Sequence, residues 1–170
     1  VNGALKTRVG DQRQREPDPE GYRSAIDKAT EETSLGYYAV KLTDYGIKAE
    51  LTATTRCSFQ RYTYPQEKDG RVMIDLMIPA EYRYAILDAS VRQVDDHTIE
   101  GYSVQQTRQV WSEDDNQDYT LHFTVEFDRP ISRFGGWIND SILNDIKEVK
   151  ALNPGRMGCF VEFDTTTDPV

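Results

Sequence analysis

At 170 residues, with 38% apolar and 11% aromatic side chains, the chain is long enough to bury one core and too rich in large residues to stay disordered. Its 29 acidic against 20 basic residues give a net charge of −9 with no basic stripe, which argues against nucleic acid as a partner. No apolar run approaches the roughly 18 residues that a membrane-crossing helix needs.

Residues 1–20 hold scattered apolar positions. Val1 to Val9 could add a short strand, and DQRQREPDPE reads as a loop. YRSAIDKATEET (22–33) contains good helix formers, but its apolar spacing is poor, so an extended segment is expected. The signal then sharpens. In YYAVKLT, Tyr38, Val40 and Leu42 share a face, and Asp44-Tyr45-Gly46 marks a turn. In IKAELTATTR, Ile47, Ala49, Leu51 and Ala53 alternate with polar neighbours, the period of a half-buried strand. Phe59–Tyr64 continues as a strand and stops at Pro65, and Gln66–Gly70 reads as a polar hairpin loop.

Further on, RVMIDLMI places Val72, Ile74, Leu76 and Ile78 on one side, with Asp75 on the other, facing water. Tyr84–Val94 and Thr98–Trp111 read as strands around an Asp95-Asp96 turn, and Ser112–Asp118 as an acidic loop. YTLHFTVEF directs Leu121, Phe123, Val125 and Phe127 inward. Ile131–Ile138 and Arg156–Phe163 complete the strands. Over SILNDIKEVKAL (141–152), Ile142, Ile146 and Val149 fit helical spacing, so a short helix competes there. About nine or ten strands separated by turns, with at most one short helix, predict an all-β antiparallel sandwich.

The residues offer little chemistry of their own. Cys57 and Cys159 both lie in strand-like runs and read as two buried thiols, or as a pair should their strands face each other. The only histidines are His97 and His122, and no CxxC is present, so a zinc site is not expected. Glu113, Asp114, Asp115 and Asp118 sit in the polar loop, where solvent keeps carboxyls ordinary. They lack the DxDxDG spacing of a calcium loop. Trp111 and Trp137 are the candidate sugar-stacking residues, weighed against the commoner role of aromatics in cores and interdomain packing. Asn139-Asp140-Ser141 matches a glycosylation sequon.

GYY-x-V-x-L, I-x-A-E-L-T-A-T-x-R, R-Y-T-Y-P and V-M-I-D-L follow one another in this order. Together they resemble the N-terminal domain of glycoside hydrolase family 92, the α-mannosidases of bacteria and some fungi, over about Gly21 to Phe163 and most closely over Tyr37 to Leu76. The resemblance implies a mutarotase-like supersandwich joined by a helical linker to a catalytic (α/α)6 barrel. It implies a calcium-dependent enzyme that removes terminal α-mannose from N-glycans and mannans with inversion, in the periplasm, secreted, or at the bacterial cell surface. The acid, the base and most calcium ligands of the family lie in the barrel, so no catalytic or metal-binding residue transfers to this chain. One departure stands out: Gln60 occupies the place where family members often carry histidine, in Ser58-Phe59-Gln60-Arg61-Tyr62-Thr63-Tyr64-Pro65.

Residues 1–170 are thus expected to form a single sandwich domain cut from a larger one, with sugar-contacting segments before Val1 and the barrel after Val170. Such a piece would be inactive alone, and its uncovered barrel-facing surface would promote self-association. The alternative reading is an independent carbohydrate-binding sandwich.

Overall fold

The structure, a computed structural model, describes residues 1–10, 20–65, 70–77, 84–107 and 117–165. These hold twelve strands and no helix. By backbone proximity the chain divides into two compact units, one from Val1 to Gly70 with the residues from Asp164 onward, the other from Arg71 to Phe163.

The first unit is a four-stranded antiparallel meander of β1 (Ile26–Ser34), β2 (Tyr37–Leu42), β3 (Ile47–Ala53) and β4 (Ser58–Thr63). Ser34 pairs with Tyr37, so β1 and β2 are joined by the two residues Leu35-Gly36. Gly36 has φ +77°, a left-handed conformation that a residue without Cβ adopts at no steric cost. The expected apolar face is present. Tyr38, Val40 and Leu42 lie opposite Leu51, Ala49 and Ile47. Val40, Ile47 and Ala49 at its centre are buried. The alternation fades toward Ala53, which is exposed.

The second unit is a two-layer sandwich. One sheet runs β10 (Ser141–Leu143), β9 (Arg133–Ile138), β12 (Met157–Phe163), β5 (Gly70–Asp75). The other runs β11 (Glu148–Leu152), β6 (Tyr84–Gln93), β7 (Thr98–Thr107), β8 (Gln117–Glu126). The inner faces meet in one core of Ile86, Ala89, Val91, Ile99, Phe134, Val149, Met157, Cys159 and Val161. The inward residues of β6 break strict alternation because the register shifts between Ile86 and Asp88. A bulge of this kind moves every later side chain to the opposite face. It puts Ala89 and Val91 into the core and turns Ser90 and Arg92 outward. β12 is buried along its whole length.

Several sequence expectations are corrected. Residues 1–10 form no strand. The strands that flank the expected Gln66–Gly70 loop, β4 and β5, do not pair: β4 belongs to the meander and β5 pairs with β12 in another sheet. Residues 66–69 and Ile78 lie outside the described residues, whereas Val72, Ile74 and Leu76 pack on the core as expected. Asp75, on the opposite face, is half-buried and accepts the Met77 amide at 2.9 Å. The 141–152 stretch is two short strands, β10 and β11, which accounts for a strand number above the expected one. Leu121 is 54% exposed although its alternation points inward, since β8 is an edge strand with only β7 beside it. The cysteines are free: Cys159 is buried in β12, but Cys57 is exposed in the turn before β4.

Candidate functional site

Trp137 lies on β9, paired with Gly158 of β12, and is 0% exposed. A Cβ on Gly158 would come within 2.2 Å of the Trp137 ring, so the glycine makes room for the indole. The Nε1 is buried with no hydrogen-bond partner. A pyranose stacks on a free aromatic face, and this ring presents none. Trp111, Glu113, Asp114 and Asp115 lie outside the described residues. Asp118 falls within β8, where it accepts from Gln106 Nε2 at 2.9 Å. His97 sits in the β6–β7 turn with Nδ1 2.9 Å from the Phe127 carbonyl. Asn139 of the sequon occupies an exposed turn at φ 54°, and its Oδ1 accepts the Arg156 amide.

The position that sequence reading missed is the outward face of the β11-β6-β7-β8 sheet. Cross-strand register places Ser90, Tyr102 and His122 in one row and Glu148, Arg92, Glu100 and Thr124 in the next. Paired residues share a face, so both rows point the same way. They line an open groove of about 560 Å³. The bulge in β6 aligns Asp88, Ser90 and Arg92 on this face. It leaves no trace in an alternation count, which is why the sequence did not reveal the groove.

The groove's polar groups are hydrogen-bonded to one another or to their neighbours on the sheet. The Ser90 hydroxyl, nearly buried at 5% exposure, donates to Glu148 Oε1 at 2.6 Å. Arg92 Nε donates to Glu100 Oε1 at 2.7 Å. The Tyr102 hydroxyl donates to Asp88 Oδ2 at 3.0 Å, whereas Asp88 Oδ1 is buried without a partner. The Tyr102 and His122 rings lie 6.0 Å apart between centroids, tilted by 41°.

Ionic clusters also lie elsewhere. On the meander, Arg61 grips Glu50 through Nε and Nη2, both at 2.8 Å, and the Tyr37 hydroxyl donates to Glu50 at 2.9 Å. The Arg61 hydrogen bonds, then that of Tyr37, hold the Glu50 carboxyl down at about 2. The same contact pushes the Tyr37 phenol up. Hydrogen bonds from Lys28 and Tyr38 lower Glu31, and the His97 amide lowers Asp95. In the sandwich, Glu162 binds both Arg71 and Arg133, with the Arg71 guanidinium 5.6 Å above the Phe160 ring. Burial alone pushes the Cys159 thiol up to about 12. A general acid needs a carboxyl raised toward neutrality, and these displaced carboxyls move the other way. Among the described residues no group of three or more His, Cys, Asp or Glu side chains is placed to hold a metal ion.

A family profile described as the glycosyl hydrolase family 92 N-terminal domain matches residues 3–170. The chain belongs to this family. Among solved structures, this family 92 domain is similar to a GH92 α-mannosidase from Bacteroides thetaiotaomicron, with a TM-score of 0.73 and 27% identity over 96% of this chain and 21% of that one. The complex of that α-mannosidase with mannoimidazole aligns at TM-score 0.73 and 28% identity, over 96% of this chain and 20% of that one. An inverting GH92 mannosidase from B. thetaiotaomicron VPI-5482 shares the fold at TM-score 0.66 and 18% identity, over 99% of this chain and 19% of that one. The family 92 domain therefore spans about a fifth of the length of these enzymes. A search of curated proteins gives no match.

Proposed function

We propose that this domain is the non-catalytic N-terminal sandwich of a calcium-dependent, inverting exo-α-mannosidase acting on the α-mannosides of N-glycans or mannans. It packs against an (α/α)6 barrel of the same chain and shapes the cleft, with calcium held mainly by the barrel. The enzyme works in the periplasm, secreted, or at the cell surface of a bacterium. The observation that carries this reading is the family match over residues 3–170, joined to the likeness to an α-mannosidase of which this chain covers 21%. The site chemistry supports it: inversion needs two carboxyls about 6.5–9.5 Å apart, one of them kept protonated near neutrality, and among the described residues the displaced carboxyls Glu31, Glu50 and Asp95 are lowered.

The experiment compares the 170-residue chain with the full enzyme on an aryl α-mannoside in calcium-containing buffer. Turnover only by the full enzyme, suppressed by chelator, is expected. Turnover by the shorter chain at a comparable rate would place the catalytic pair inside these residues. The alternative, an independent carbohydrate-binding sandwich, draws on one observation, the polar groove on the β11-β6-β7-β8 sheet.

A further inference from the structure

We infer that the groove on the outward face of the β11-β6-β7-β8 sheet is a binding site for a neutral hexopyranoside. This rests on the α-mannosidase reading above only for the choice of mannoside as ligand. Four features carry it.

The first is that one acceptor is placed before any ligand arrives. Glu148 is held by the hydroxyl of the buried Ser90 at 2.6 Å, whereas Glu100 and Arg92 form an exposed ion pair at 2.7 Å. A placed acceptor loses little freedom on binding, so its hydrogen bonds count toward affinity. The second is the match of group to ligand. A sugar presents neighbouring hydroxyls that both donate and accept. Glu148 and Glu100 offer carboxylate oxygens to accept, while Arg92 and the Thr124 hydroxyl can donate.

The third is the aromatic wall. The Tyr102 ring stands beside the exposed His122, with its hydroxyl tethered to Asp88 at 3.0 Å. A tethered tyrosine keeps its ring in place for the C–H face of a pyranose. The fourth is charge. Among the lining residues Glu100 and Glu148 stand against Arg92, so no cationic surplus gathers sulfated or uronic glycans.

The test is calorimetric titration of the full enzyme with S-linked α-mannobiose, whose thioglycosidic bond resists hydrolysis. Two variants change the groove without touching the core: His122→Ala, at an exposed position, and Glu148→Gln, which keeps shape and removes charge. We expect both variants to bind one equivalent fewer than the wild type, or to weaken that equivalent at least tenfold. Unchanged stoichiometry and affinity in both variants would overturn the site. Hydrolysis of an aryl α-mannoside by the same wild-type preparation reports separately on the enzyme class. An enzyme that cleaves mannosides yet shows no groove-dependent binding refutes the groove alone, and one that binds in the groove without cleaving refutes the proposed activity alone.

Discussion

Gly158 has no room for a side chain. A Cβ there would lie 2.2 Å from the Trp137 ring and 2.4 Å from the Ile74 carbonyl, and the second of these neighbours is backbone. Trp137 is itself fully buried and cannot swing away. Gly158→Ala should therefore destabilise by about 1–3 kcal/mol or more through overpacking, read as a lower urea midpoint at unchanged m-value. A variant as stable as the wild type would show that the indole is not held there. Glu50 makes a different residue-scale statement. Its carboxyl is lowered from an ordinary 4.5 to about 2, chiefly by the Arg61 hydrogen bonds. The unfolded chain binds the proton first as pH falls, so this stabilisation is complete above about 4.5 and is lost as pH drops through about 2. Glu50→Gln should be less stable than the wild type at pH 6, and the gap should narrow steadily between pH 4.5 and pH 2. A gap that stays constant across that range would mean the variant acts through packing.

At the scale of elements, what could be read from the chain and what could not separate along a physical line. The β2–β3 hairpin was legible because alternation extends over several residues and a glycine-containing turn divides it. The 141–152 stretch misled because Ile142, Ile146 and Val149 match a helical period by coincidence. Ile142 is exposed and only Val149 is buried. Asp145 adopts φ 54° between the two short strands, a left-handed conformation that interrupts any helix. The β4–β5 connection misled because a polar loop between strands does not say whether they pair. The groove was invisible because it is assembled by register across four strands and by one bulge in β6. Burial, rather than hydrophobicity, ranks these elements. Ile99 on the central strand β7 is 0% exposed, while Leu152 on the edge strand β11 is 72% exposed. Ile99→Ala should cost about 2–5 kcal/mol, and Leu152→Ala should stay within about 0.5 kcal/mol. Equal losses in chemical denaturation would contradict the assignment of β7 to the core.

Across the whole molecule, stability should be distributed unevenly. β12 is buried along its length and is flanked by β9 and β5, and β6 and β7 occupy the middle of the second sheet of the same sandwich. Opening any of these exposes the shared core of Ile86, Val91, Ile99, Met157 and Val161. β4 is the edge of the meander, and all but one of its residues are exposed. Local opening follows buried contact, so amides that open only with global unfolding should belong to β12, β6 and β7, and those of β4 should exchange through local fraying. Hydrogen exchange read by mass spectrometry on the full enzyme distinguishes the two behaviours. Protection of β12, β6 and β7 should follow added urea with the slope of global unfolding, and that of β4 should be nearly insensitive to it. A β4 as protected as β12 would mean that the edge of the meander is covered in the full enzyme, which would place a partner surface, such as that of the proposed barrel, against that strand.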